Sequence, residues 1–176
     1  ENDSLVQIIE KLGNDVFRGV ENDVLGRYFE AAKKYQPKSI VRITGDCPII
    51  DPAIIDEVIS LYEKENADYA SNTNPPTYPD GLDVEVFSFD SLEEANEKAE
   101  TSHEREHVTP FIRANNKLKN INLSNDIDLS KERWTVDDPE DLLVIENILN
   151  HFAPELDFPW KDVLKLKKTH PCLLYT

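Results

Sequence analysis

The stretch KSIVRITGDCPIIDPAIIDEVISLYEK, residues 38–64, decides the fold class. Its first part, Lys38 to Thr44, is rich in β-branched residues and predicts a buried strand. The strand ends at Gly45, and Asp51-Pro52 then places a helix cap before a proline in the first helical turn. A helix is predicted from Pro52 to Lys64, because its apolar residues recur at helical spacing. A strand, a tight turn and a helix in this order predict an α/β protein.

Strands and helices are predicted on both sides of this unit. The helix between Lys38–Thr44 and Asp68–Ser71 is too long for a hairpin, so these two strands are expected to be neighbours in a mostly parallel sheet. The alternation in Asp83–Phe87 predicts a half-exposed strand. Further strands are predicted at Val16-Phe17, Lys119–Leu123 and Arg133–Val136, and further helices at Ser4–Leu12, Asp23–Tyr35, Ser91–Ala99 and Glu104–Ala114, and from Pro139 onward.

Composition restricts the possible partners of the chain. The 35 acidic and 19 basic side chains give a net charge of −16, a field that repels nucleic acid and anionic membrane surfaces. A phosphate-bearing small molecule could bind only with a divalent cation or a local group of arginines and backbone N–H groups. Two distant cysteines, Cys47 and Cys172, without C-x-x-C spacing favour a reducing cytoplasm.

Two acidic turns follow predicted strands, Gly45-Asp46 and Asp137-Asp138. Ligands of open α/β sheets bind where strands end, so these turns are expected to meet at one sheet edge. Mg²⁺ prefers one or two protein carboxylates together with water and substrate phosphate. Asp46 and Asp137 are therefore the predicted Mg²⁺ ligands, and Asp138 is expected to cap a helix. The alternative is that each aspartate only satisfies backbone donors of its loop.

Five motifs follow one another along the chain: Asp23–Tyr28, Val41–Pro48, Tyr78–Phe87, Arg105–Pro110 and Trp134–Leu142. In this order they resemble the spore coat polysaccharide biosynthesis protein F family of cytidylyltransferases, which is similar to the CMP-sugar synthetases. The resemblance extends to about Phe152 and implies a Rossmann-like, glycosyltransferase-A-like three-layer sandwich. The length of the chain predicts one domain over residues 1–176, with a C-terminal extension at 153–176.

The resemblance also implies a reaction, in which a hydroxyl of a sugar or sugar acid attacks the α-phosphate of CTP and releases pyrophosphate. The products would be CMP-sugars for surface or spore-coat polysaccharides, Mg²⁺ would be the cofactor, and a homodimer is possible. The catalytic residues implied are Asp46 and Asp137. The nucleotide is expected at Arg27, Gly45 and Asp46, and the sugar at Asp80, Asp83, Glu85, Arg105, Glu106 and His107.

Each of these site residues also has a purely structural explanation. Arg27 is equally well explained as an exposed partner of Asp23. The acids from Asp80 to Glu85 are explained as the water-facing side of a strand, and Arg105–His107 as a solvated turn. The family also begins with a strand and a phosphate loop that this sequence does not contain. The 176-residue chain by itself is therefore expected to have little or no transferase activity, and robust pyrophosphate release would contradict this.

Two other classes of function remain open. One is a non-catalytic module that binds a nucleotide sugar at the sheet edge. The other is a zinc hydrolase, because His103-Glu104-Arg105-Glu106-His107 matches H-E-x-x-H. Zinc is disfavoured, since Pro110 ends the helix just after the motif and no third ligand follows on a plausible helix.

Overall fold

The structure is a computed structural model, and it describes residues 2–174. It divides into two compact units, each built from two stretches of chain. Unit 1 comprises Glu1–Ile40 and Ser88–Leu118, and unit 2 comprises Val41–Phe87 and Lys119–Thr176. The single domain predicted over residues 1–176 stays a prediction.

Helices and strands alternate over most of the chain, as the α/β prediction requires. None of the described helices is both long and apolar enough to cross a bilayer. A short 3₁₀ turn, Pro171–Leu173, follows the last helix. The helices are α1 (Asp3–Lys11), α2 (Val24–Tyr35), α3 (Pro52–Glu65), α4 (Phe89–Lys98), α5 (Ser102–His107), α6 (Pro110–Ala114), α7 (Pro139–Phe152) and α8 (Trp160–Thr169), and the strands are β1 (Ser39–Arg42), β2 (Tyr69–Ser71), β3 (Glu85–Ser88) and β4 (Asn120–Asn122).

Helix starts in unit 1 follow side-chain caps. The Asp23 carboxylate accepts the backbone N–H of Gly26 at 2.9 Å and so opens α2. Helix α4 opens at Ser88, whose hydroxyl accepts the N–H of Ser91 at 3.0 Å. The predicted cap at Ser91 is therefore wrong by three residues. Val16-Phe17 forms no strand, because that segment makes no ladder to a neighbour.

The four strands form a mixed sheet in the order β1-β3-β2-β4. Strand β3 runs antiparallel to β2, with Ala70 opposite Val86, and β4 runs parallel to β2, with Ala70 opposite Ile121. The α/β class is confirmed. The prediction that β1 and β2 are neighbours is wrong, because the long proline-containing loop after β2 lets β3 return between them.

Two predicted strands differ in detail from the structure. Strand β3 is buried rather than half-exposed, since Val84, Glu85, Val86 and Phe87 are all inaccessible. The segment Arg133–Val136 makes one isolated bridge to Asp80 instead of a strand. Trp134 in this segment is 2% exposed and anchors it in the core of unit 2.

The core of unit 2 joins the sheet to three helices. Half of its buried members are aliphatic side chains of α3, β3, α7 and α8, so helix burial rather than intrinsic propensity stabilises this layer. Helix α8 was not predicted from the sequence. The fully or nearly buried residues of α3, α7 and α8 in this core are Ile54, Val58, Ile145, Ile148, Trp160, Val163 and Leu166.

Candidate active site

The two acidic turns predicted from the sequence lie side by side in unit 2. The backbone N–H of Val136 donates to the carbonyl oxygen of Asp46 at 2.9 Å. This bond joins the turn after β1 to the segment that leads into α7. Asp46 and Asp137 are therefore brought to the same place by the backbone, as the sheet-edge argument predicts.

Asp46 stands in a turn that leaves room for a ligand. A methyl group added at Gly45 would meet open space, so this side of the turn is open to solvent. The thiol of Cys47 lies 3.6 Å from the Asp46 carboxylate and 3.3 Å from the Thr44 hydroxyl. Burial, together with the neighbouring acids, raises the pKa of Cys47 to about 11. Cys47 therefore stays protonated and acts as a packing residue, not as a nucleophile.

Asp137 is the most accessible of the candidate ligands, with 58% of its side chain exposed. Its carboxylate accepts a hydrogen bond from Arg133 at 2.6 Å. Its backbone N–H, and that of Asp138, donate to the Asp141 carboxylate at 3.0 Å each. Asp138 precedes Pro139 at the start of α7, as its predicted capping role requires.

Asp80 and Asp83 extend the acidic character of this region. Burial raises the pKa of Asp83 to about 6, and repulsion from Asp80, Glu85 and Asp46 adds to the shift. Burial also raises the pKa of Asp80, and Asp137 and Asp46 contribute while Arg133 opposes them. Four carboxylates thus act on one another through space. We call Asp46, Asp80, Asp83 and Asp137 the acidic cluster.

Gly81 brings two members of this cluster into place. Its φ is +106°, and a methyl group there would lie 2.8 Å from the backbone of Trp134. Only glycine meets both conditions without strain. The backbone N–H of Trp134 also donates to the carbonyl oxygen of Asp80 at 2.7 Å. The turn between Asp80 and Asp83 is thereby fixed against the segment that carries Asp137.

Glu85, predicted at the sugar site, has a different environment. It is 5% exposed, and its carboxylate accepts hydrogen bonds from Arg42 at 2.5 Å and from the Tyr69 hydroxyl at 2.6 Å. These contacts hold β1, β2 and β3 together. The structure therefore gives Glu85 a role inside the sheet, while Asp80 and Asp83 are more accessible.

The predicted basic contacts lie in unit 1. Arg27 donates to the carbonyl oxygens of Val20 and Glu21 at 2.9 and 2.8 Å, and it lines a cavity of about 450 Å³. Arg105 pairs with both oxygens of Asp23, at 2.8 and 2.6 Å. The hydrogen bond from Arg105 holds the pKa of Asp23 below its usual range. Asp23 is thus the partner of Arg105 rather than of Arg27.

The H-E-x-x-H segment does not assemble the parts of a zinc hydrolase. The rings of His103 and His107 are 4.5 Å apart on α5, and His107 and Glu106 are exposed. Glu104, which would have to activate water, instead accepts the N–H and hydroxyl of Thr101 in a capping box. Within residues 2–174, no three His, Cys, Asp or Glu side chains are grouped to hold a metal ion.

The acidic cluster still fits a cation that is shared with a substrate. Mg²⁺ needs only one or two protein carboxylates when phosphate and water complete its shell. Burial, and to a smaller degree repulsion from neighbouring acids, raises the pKa of Asp83, and a bound cation would offset both costs of the charged form. The linked turns of Asp46 and Asp137 supply two carboxylates to this region, the number that such a cation requires.

Sequence reasoning missed two residues of this site, Arg133 and Asp141. Both carried a recognisable signal. Arg133 and Asp137 are four residues apart and opposite in charge, and Asp141 stands three residues after the helix cap at Asp138, the position of the acid in a capping box.

The raised pKa of Asp83 predicts a pH-dependent stability. An acid whose pKa rises on folding contributes stability at low pH that is lost as the pH rises through the folded value. For Asp83 this loss falls between the usual aspartate pKa of 3.8 and its folded pKa of about 6. We expect Asp83→Asn to stabilise the chain by about 1–2 kcal/mol at neutral pH, after allowance for solvent screening, and to leave it unchanged below the unfolded value.

Urea denaturation of the wild type and Asp83→Asn across this pH range measures the effect. Asp126→Asn is the control, because it removes the same charge from an exposed position of unit 2. It should change the stability little at either end of the range. Equal effects of the two substitutions at neutral pH would contradict the assignment.

Known proteins are similar to this chain in sequence. The cytidylyltransferase family profile matches residues 2–154, which include the whole acidic cluster. An uncharacterized protein of Methanocaldococcus jannaschii is 40% identical over 155 residues, and the match covers 86% of this chain and 63% of that protein. The spore coat polysaccharide biosynthesis protein SpsF of Bacillus subtilis is 28% identical over 165 residues, which cover 92% and 68% of the two chains.

A solved structure agrees with these sequence matches. A cytidylyltransferase from Leptospira borgpetersenii superposes with a TM-score of 0.93 at 34% identity, over 99% of this chain and 74% of the other. The fold is thus a Rossmann-like nucleotidyltransferase fold. The chain belongs to the cytidylyltransferase family. It spans a little under two thirds of the archaeal relative.

Proposed function

We propose that this chain forms the cation and acceptor part of an enzyme that transfers CMP from CTP to a sugar or sugar acid. The observation that carries this proposal is the backbone hydrogen bond from Val136 to Asp46, which links the two acidic turns. Membership of the cytidylyltransferase family supports a nucleoside triphosphate as substrate. The sugar is supported by the resemblance and by the name of the Bacillus subtilis relative.

Asp46 and Asp137 are the residues proposed to hold Mg²⁺. Bound there, Mg²⁺ would neutralise the triphosphate and stabilise the leaving pyrophosphate. A cation is needed because the chain carries a net charge of −16 and because the site itself is acidic. Gly45 supports the same arrangement, since the open space beside it lets a phosphate approach the turn.

Asp80 and Asp83 are proposed to orient the acceptor. Carboxylates accept hydrogen bonds from sugar hydroxyls, and both side chains lie beside the proposed cation ligands on a turn fixed by Gly81. Asp83, with its pKa of about 6, can also take up the proton that the attacking hydroxyl releases. Bond formation at the α-phosphate then requires mainly alignment of the two substrates.

The proposal predicts nucleotide binding that depends on Mg²⁺ and on Asp46. Calorimetric titration with CTP, UTP, GTP and ATP should show the tightest binding for CTP, and only when Mg²⁺ is present. Asp46→Ala should weaken CTP binding about 100-fold or more, because it removes a charged ligand of the cation. Asp56→Ala, which removes an exposed aspartate of α3, is the matched control and should bind CTP like the wild type.

Turnover is measured as pyrophosphate release by the natural full-length protein with CTP and a panel of sugars and sugar acids. Release with at least one acceptor is the expected result. CTP binding that depends on Asp46 but yields no pyrophosphate with any acceptor would instead identify a non-catalytic binding module.

A further inference from the structure

One side chain, Asp141, anchors the turn that carries Asp137. One of its carboxylate oxygens accepts the backbone N–H groups of Asp137 and Asp138, both at 3.0 Å. The other oxygen accepts a hydrogen bond from Arg133 at 2.6 Å. Arg133 in turn donates to the Asp137 carboxylate at 2.6 Å. Asp141 therefore acts on Asp137 twice, through its backbone and through a shared arginine.

Burial distinguishes the anchor from the group that it holds. Only 17% of the Asp141 side chain is exposed, against 58% for Asp137 and 45% for Arg133. An exposed ion pair such as Arg133–Asp137 contributes little fixed geometry by itself. The two backbone hydrogen bonds to the less exposed Asp141 are the stronger constraint on where the Asp137 carboxylate can lie.

We propose that Asp141 is a positioning residue that sets the Asp137 carboxylate for the divalent cation. This inference rests on the proposed function, because it takes Asp137 as a cation ligand. Residues that hydrogen-bond to a metal ligand and orient it typically increase the metal affinity about 10–100-fold. Asp141 is such a group, since it accepts hydrogen bonds from the backbone N–H of Asp137 and from Arg133, the arginine that pairs with Asp137.

A helix cap is the simpler role for the same side chain. Asp141 stands in the first turn of α7, where an acid also stabilises the positive end of the helix. A cap alone changes the stability of the protein but leaves the cation affinity unaltered. Cation affinity is therefore the readout that separates the two roles.

The test measures binding of Mn²⁺ alone to the 176-residue chain by electron paramagnetic resonance, at near-neutral pH and physiological salt to screen the surface carboxylates. We expect Asp141→Ala to weaken Mn²⁺ binding about 10-fold or more. Glu140→Ala is the matched control, because it removes the same charge from the same helical turn at an exposed position. It should bind Mn²⁺ like the wild type.

Asp137→Ala separates this inference from the proposed function. If Asp137→Ala abolishes Mn²⁺ binding while Asp141→Ala binds like the wild type, the positioning role is overturned and the cation site stands. If Asp137→Ala binds like the wild type, the cation site itself is wrong and the inference falls with it. If Asp141→Ala and Glu140→Ala lose the same amount of Mn²⁺ affinity, the effect is explained by the lost negative charge alone. That result would also overturn the positioning role.

Asp141→Glu keeps the test decisive should Asp141→Ala fail to fold. Glutamate is a normal residue of a capping box, so the helix start is preserved. Its extra methylene moves the carboxylate relative to the two amides it must accept. We expect a loss of about 3-fold or more in Mn²⁺ affinity, since small displacements of an orienting group alter its metal ligand. Wild-type affinity in this variant would overturn the positioning role.

Discussion

Arg42→Met should destabilise the chain by about 3 kcal/mol, one of the two largest effects expected of a single substitution in this protein. Arg42 and Glu85 form an ion pair at 2.5 Å, with only 17% and 7% of their side chains exposed. In Arg42→Met the carboxylate of Glu85 stays buried but loses its ion pair with the arginine. Breaking a buried ion pair in this way typically costs ~3–5 kcal/mol of stability. The lower end is expected because the Nε of Arg42 is itself buried without a hydrogen-bond partner.

Urea denaturation followed by tryptophan fluorescence measures this effect directly. Both tryptophans, Trp134 and Trp160, lie in the core of unit 2, the unit that contains the ion pair. The double variant Arg42→Met/Glu85→Gln is the control. It also removes the negative charge of the buried carboxylate but keeps an acceptor for the Tyr69 hydroxyl, so its stability should recover to within about 1 kcal/mol of the wild type. A double variant as unstable as Arg42→Met would show that packing, not charge, dominates.

The same ion pair shows why sequence reasoning misjudged β3. Alternation of Asp83, Val84, Glu85 and Val86 is typical of a strand with one face in water, and acids are rarely buried without a partner. That partner, Arg42, lies on β1, 43 residues away in sequence, and becomes its neighbour only because β3 inserts between β1 and β2. Strand order is a property of the assembled sheet, so the burial of Glu85 depends on a contact that no local pattern contains.

Features that depend on neighbouring residues in the sequence were predicted correctly. The β-branched run before Gly45 and the Asp-Pro pairs at Asp51 and Asp138 correctly predicted β1 and the starts of α3 and α7. The turns of Asp46 and Asp137 also meet, as expected, although Asp137 follows an isolated bridge at Arg133 and not the predicted strand. Each of these predictions depends on a few consecutive residues or on general sheet geometry.

The partners of charged side chains were the unpredictable part of the site. Arg105 and Asp23 are 82 residues apart, and their bidentate contact gives Arg105 a role within unit 1 that its motif did not indicate. The spacing of Arg133 and Asp141 from Asp137 is visible in the sequence. It identifies them as contacts of Asp137 only after the structure shows that the Asp137 turn is held by other side chains. A charged residue in a sequence has many possible partners, and tertiary packing selects one of them.

Asp51 is the second position at which a large effect is expected. It is 7% exposed, and one carboxylate oxygen accepts the N–H of Ala53 at the start of α3 while the other accepts the N–H of Trp160 at the start of α8, both at 2.8 Å. Helix α8 has no side-chain cap of its own. One aspartate therefore caps two helices, and the second helix start, at Trp160, lies 109 residues beyond Asp51 in the sequence.

Asp51→Ala should destabilise the chain by about 2–4 kcal/mol, the sum of a lost N-cap and a buried N–H left unsatisfied at Trp160. Asp51→Asn should lose about half as much, because its amide offers one acceptor oxygen instead of two. Asp138→Ala removes an exposed aspartate from the same Asp-Pro arrangement and should cost about 1 kcal/mol. Urea denaturation followed by tryptophan fluorescence measures all three. Equal losses at Asp51 and Asp138 would mean that the second bond, across the core to α8, contributes nothing to stability.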